Sequence, residues 1–155
     1  MKLARIVLFA AAAVLATPAM AQTATDMQIL AQKIKADKKL VVAANMQLTE
    51  EEAKGFWPVY EAYQKDLQKI NQRLLGTIKR YADAYNKGAV SDEEAKKLLN
   101  QAISVEEAEV RLKRSYVPKL EKVLPGVKVA RYIQIENKIR AVVKYELAAQ
   151  IPLVN

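Results

Sequence analysis

The sequence predicts an all-α protein: four helices built around a long, kinked antiparallel helical hairpin. Three observations carry that reading. Apolar side chains recur from Phe56 through Tyr60, Tyr63, Leu67, Ile70, Leu74, Ile78 and Tyr81 to Tyr85 at steps of three or four, one stripe along one helix face. Two helix-start signals, Leu48-Thr49-Glu50-Glu51-Glu52 and Val90-Ser91-Asp92-Glu93-Glu94, bracket a helix-stop at Gly88. Prolines at Pro58 and Pro118 lie equally far from Gly88 on either side.

Residues 1–21 read as a secretory signal peptide, separate from the fold. Lys2 and Arg5 form the positive start, Ile6 to Ala16 the apolar run, and Ala19-Met20-Ala21 the small-residue cleavage site. The run is shorter than the roughly 20 residues that a membrane span needs. No Cys follows the cleavage point, and no later run is apolar enough to span a bilayer. The expectation is a single exported domain over 22–155, in the bacterial periplasm, without stable membrane insertion.

The first helix is expected over about 26–44, with Met27, Leu30, Ala31, Ile34, Val41 and Val42 in one arc. Lys33, Lys35, Lys38 and Lys39 cluster around Asp37. They serve either as a solvated face or as contacts to an acidic partner or lipid headgroups. Lys38 alone falls inside the apolar arc, from which it would have to snorkel outward.

The second helix is expected over about 50–87. Thr49 is its N-cap, Glu52 closes a capping box and Leu48 is the hydrophobic staple. Pro58 removes the bond to the Lys54 carbonyl, and Gly55 weakens the same turn. Because the stripe stays in phase on both sides, the proline reads as a kink rather than an end. Trp57 lies beside the stripe near Phe56, Tyr60 and Tyr63, either as core packing or as an apolar contact for clients.

The third helix is expected over about 92–124. Ser91 caps it, Glu94 closes a second box and Val90 staples. The seven residues from Leu48 and from Val90 align at an offset of 42. A duplicated helix or shared capping chemistry would both produce that echo. The apolar stripe runs through Ala95, Leu98, Ala102, Val105, Leu112, Tyr116, Leu120 and Val123, widened by Leu99, Ile103 and Val117. Pro118 should sit level with Pro58, roughly 45 Å from the turn at 1.5 Å per residue. Paired bends at one level would curve the hairpin.

The fourth helix is expected over about 127–149, apolar over nearly half its wheel: Val129, Tyr132, Ile133, Ile135, Ile139, Val142, Val143 and Leu147. Glu136 lies inside that arc and Arg140 follows one turn later, the order that favours an intrahelical pair. After Pro152, Leu153 and Val154 either dock on the bundle or present an adhesive segment to a partner.

Composition narrows the function. The chain of 155 residues contains neither Cys nor His, so thiolate chemistry, disulfides and imidazole bases or ligands are ruled out. Its four Gly form no phosphate-cradling pattern. The carboxylates sit mostly in caps and on polar faces, with no pair placed in a pocket, so no enzyme, metal site or cofactor is expected. The formal charge of +8 favours anionic partners or solubility. Nucleic acid is not among those partners, for no basic block carries interleaved aromatics.

An exported, Cys-free helical chain in which Leu48-Thr49-Glu50-Glu51-Glu52 opens a long helix resembles the Spy/CpxP group of periplasmic proteins, marked by Leu-Thr-x-x-Gln motifs. Here Glu52 stands in place of the Gln, and Ser91 to Glu94 echoes the motif only loosely. The resemblance implies an ATP-independent chaperone that holds unfolded envelope proteins, or an envelope-stress adaptor that binds a sensor. It also implies cradle-shaped homodimers of curved helices. The contact residues expected on this reading are Trp57, Lys33, Lys35, Lys39, Leu153 and Val154.

Overall fold

The computed structural model describes residues 38–154. The proposed signal peptide, the first part of the first helix with Lys33 and Lys35, and Asn155 lie outside these residues. The described chain forms four helices and no strand: α1 over 38–46, α2 Glu50–Asn86, α3 Asp92–Glu121 and α4 Gly126–Gln150.

Thr49 caps α2 as its side chain predicts. The Glu52 amide donates to Thr49 Oγ1 at 3.2 Å, and the Thr49 amide donates to the Glu52 carboxylate at 2.8 Å. At α3 only half of the expected box forms. Ser91 Oγ accepts from the Glu94 amide at 3.3 Å, but the Glu94 carboxylate makes no return bond. Between the helices Gly88 takes φ +125°, a left-handed-side conformation that a side chain would strain. Both α2 and α3 run unbroken through Pro58 and Pro118. Their antiparallel register sets Tyr63 against Tyr116 and Arg73 against Ser104, which places the two prolines at nearly the same height.

Gly55 matters for space rather than for weakening its turn. A Cβ there would stand 2.9 Å from Val123 Cβ, so the glycine lets α2 approach the end of α3. That end comes earlier than expected. α3 stops at Glu121, a turn through Val123 and Leu124 follows, and Pro125, in an extended conformation, is the N-cap of α4.

α4 runs antiparallel to α3 and parallel to α2. Lys113 Nζ donates to Asn137, and Lys144 Nζ to Glu106, both at 3.0 Å. Along α2, Lys128 pairs with Glu52, Tyr132 meets Phe56, and Arg140 donates to Asn71 at 2.8 Å. Tyr132, fully buried, packs edge-on against Phe56, Tyr60 and Tyr63. Val42 and Met46 of α1 and Leu120, Leu124 and Val129 complete this core. Such rings are large enough to fill the wide gap that α4 leaves beside α2.

Several residues expected in apolar stripes face solvent instead: Val41, Leu99, Ile103 and Val142. Leu99, Ile103 and Val142 sit at the edges of their arcs, where no neighbouring helix among the described residues reaches. No helix among the described residues is long and apolar enough to cross a membrane.

Candidate functional site

Four polar side chains meet inside the bundle. Lys38 Nζ donates to Glu136 Oε2 at 2.7 Å and to Gln64 Oε1 at 2.9 Å, and Gln64 Nε2 donates to Glu136 Oε1 at 2.8 Å. Gln64 Nε2 also donates to the Tyr132 hydroxyl at 3.3 Å. The closed triangle ties α1, α2 and α4 together. It overturns two expectations: Lys38 does not snorkel, and Glu136 pairs with Lys38 rather than with Arg140. One turn along, Arg140 pairs with Glu109 of α3 and bonds Asn71 of α2. Both residues turn inward because buried charges need close partners, and those partners lie on neighbouring helices. Burial pulls the Lys38 ammonium below the usual lysine range against the opposing pull of Glu136, and pulls Arg140 down as well. Burial likewise pushes the Tyr132 and Tyr63 phenols upward, and Tyr60 to about 12. Glu136 is only 4% exposed, so this network serves packing and offers no surface to a ligand.

The half-buried Trp57 packs edge-on against Phe56 at 5.0 Å and Tyr60 at 5.3 Å, with the Lys39 ammonium 5.1 Å from its ring centroid. Lys39 also pairs with Glu61 at 2.8 Å. Both expected contact residues are thus engaged within the chain at an outer edge of the aromatic core. The C-terminal segment is fastened to the bundle, but its last two described side chains do not pack on it. The Tyr81 hydroxyl donates to the Pro152 carbonyl at 2.9 Å, fastening the tail to α2, while Leu153 remains 89% exposed and Val154 points outward too.

Sequence reasoning missed a groove on the hairpin surface. Asp66, Lys69 and Arg73 of α2 lie across the wheel from Gln64 and Asn71, which face α4. On α3, Ala108, Arg111 and Ser115 likewise point away from α4. Between them runs a groove of about 460 Å³, open to solvent, with Ile70 and Leu112 as its apolar floor and Lys69, Arg73 and Arg111 on its rim. The cations are held in place lightly. Lys69 pairs with Asp66 at 2.9 Å, Arg111 with Glu107 at 3.1 Å, and Arg73 donates to Ser104 Oγ at 2.9 Å. The Lys69 bond and the Tyr116 hydroxyl keep the Asp66 carboxyl below its ordinary range. Each ion pair is exposed and worth at most about 1 kcal/mol, so an incoming carboxylate can compete for the cation. The spacing of Lys69, Arg73 and Arg111 was visible in the sequence. What set them on one rim is the antiparallel register, which only the packed hairpin specifies.

Among the described residues no cluster of acidic side chains is arranged to hold a metal ion. Comparison with protein-family models, with curated proteins and with solved structures finds no match for this chain.

Proposed function

We propose that this protein is an ATP-independent periplasmic chaperone that holds unfolded or partly folded envelope proteins, as the Spy/CpxP resemblance implies. The observation that carries the reading is the groove along the hairpin, with an apolar floor under a basic rim. Cations attract an acidic or mixed-charge chain over long range, and shallow apolar contacts hold it weakly. Release needs no nucleotide, because a client that buries its own apolar side chains gains more than the groove offers. The exposed Leu40, Leu153 and Val154 add further apolar contact points.

The purified protein should suppress aggregation of an unfolding client at a near-stoichiometric ratio without ATP. The triple change Lys69→Glu, Arg73→Glu and Arg111→Glu should abolish most of that protection while leaving helicity intact, since all three side chains are exposed. Unchanged aggregation at a several-fold excess of the wild-type protein would end the proposal. Recovery of one saturable partner from envelope extract, without protection of generic clients, would favour the envelope-stress adaptor instead.

A further inference from the structure

The face of the hairpin that α4 leaves open carries a line of cations longer than the groove. On α2, Lys65, Lys69, Arg73, Arg80 and Lys87 fall within an arc of about 80°. On α3, Lys97, Arg111, Lys119 and Lys122 fall within another arc of about 80°. Both arcs take in side chains that line the groove, so the two rows flank one channel. Nearer the turn a second hollow of about 420 Å³ lies on the same rows, with Arg80, Asp83 and Lys87 on one side and Ser91 and Glu94 on the other. In the register that sets Tyr63 against Tyr116, Lys97 stands level with Arg80 and Arg111 with Lys69, while Lys119 and Lys122 carry the line past Lys65. The line is about 45 Å long, and no gap along it exceeds about 10 Å at 1.5 Å per residue.

Most of these charges are free for a partner. Among the described residues the side chains of Lys65, Arg80, Lys87, Lys97 and Lys122 form no ion pair. Lys119 rests 4.0 Å from the Tyr116 ring centroid, which leaves its charge unneutralised. Between Lys97 and Lys122 the α3 arc holds no carboxylate. Between Lys65 and Lys87 the α2 arc holds Asp83 and Asp66, the latter already bonded to Lys69 and to the Tyr116 hydroxyl. Cations spaced within about one Debye length act on a ligand together. To meet all of them at once, a ligand must carry charges equally close along a single axis. A planar lipid surface would touch both rims but could not follow the channel between them. A nucleic acid strand gains from stacking its bases on aromatic rings, and no exposed ring lies on either arc.

We propose that this face binds a linear, base-free polyanion of the chemical class of inorganic polyphosphate, laid along the channel from Lys122 to Lys87. The exposed pairs Lys69–Asp66 and Arg111–Glu107 yield to it, because a polymer presents more negative charge than one carboxylate can. The site shares Lys69, Arg73 and Arg111 with the client groove, but six of its nine cations lie outside that groove, so it does not rest on the chaperone reading. A polymer seated there would compete with any client held by the three shared cations.

Calorimetric titration of the purified protein with linear polyphosphate, repeated from about 50 to 200 mM salt, tests the proposal. With nine cations engaged, the logarithm of the binding constant should fall against the logarithm of the salt concentration with a slope near about −6. Arg80→Ser with Lys97→Ser removes two level cations of the line. Lys79→Ser with Lys138→Ser removes the same charge from other faces, and all four side chains are exposed. The first pair should weaken binding by about tenfold or more at about 50 mM salt and flatten the slope by about 1.4. The second pair should weaken it by less than about twofold and leave the slope as it was. Client protection should survive the first pair, since neither residue lines the groove, so loss of polymer binding and loss of client holding are told apart. A wild-type protein that ignores polyphosphate at about 50 mM salt overturns the proposal. So do two pairs that weaken binding equally, which would leave only attraction by net charge, or tighter binding to anionic lipid vesicles than to polyphosphate at equal total charge.

Discussion

Where α2 begins and α3 ends, Phe56, Tyr60, Tyr63, Tyr116 and Leu120 meet Tyr132 of α4 and Val42 and Met46 of α1, and four helices share one core. Toward the turn at Gly88, α2 and α3 have mainly each other, with the tail reaching Tyr81 through Pro152. There the buried positions are Thr77, Ala82 and Leu98, while Ile78, Tyr81 and Tyr85 are only half-buried. The apolar stripe is equally regular at both ends. Periodicity therefore tells which face of α2 turns inward, but the depth of burial is decided by how many other elements arrive there.

That contrast predicts its own largest effect. Tyr132→Ala removes a ring that touches three others and should cost about 3–5 kcal/mol, whereas Tyr85→Ala should cost under about 1 kcal/mol. Urea denaturation of the two variants measures both, and equal losses would refute a core concentrated at one end. A smaller change concerns what holds α1 to that core. Glu136→Gln leaves the Lys38 ammonium buried without its counter-charge and should cost about 3 kcal/mol. Adding Lys38→Met should recover much of the loss, and a double variant less stable than the single one would show that the pair is more than a satisfied burial. The smallest change compares two glycines of α2. Gly55→Ala should destabilise by about 1–2 kcal/mol, because its methyl group meets Val123. Gly76→Ala, with open space around it, should stabilise by up to about 1 kcal/mol. A shift of the same sign in both melting curves would contradict the close approach at Gly55.

Much of the fold was legible because its signals are local. The Thr49 cap, the Gly88 stop and the α2 stripe depend on residues within a turn or two of each other, so a linear reading finds them. The errors fall where a side chain chooses a partner on another helix. Glu136 and Arg140 have the right spacing to pair, yet each does better with Lys38 and with Glu109, residues whose positions no periodicity links to them. Glu109 could have been suspected: it sits between Val105 and Leu112 on the apolar line of α3, as Glu136 does on α4. The exposed Leu99 and Ile103 were absorbed into a widened stripe, because a wheel shows which residues are apolar but not where the neighbouring helices end. The groove escaped for a related reason. Its basic rim joins two helices far apart in sequence, and only their register makes Lys69, Arg73 and Arg111 neighbours.

The attachment of α4 at both ends has a consequence for how this chain can change length. Lys128 clasps Glu52 near one end, and the Pro152 carbonyl clasps Tyr81 beyond the other. An inserted or deleted residue between those clasps would rotate everything after it by about 100° and shift it by about 1.5 Å, so one fastening would be lost. The turn at Gly88 carries no such double tether. Insertions are tolerable there, whereas the span from Lys128 to Pro152 acts as a ruler whose count is fixed.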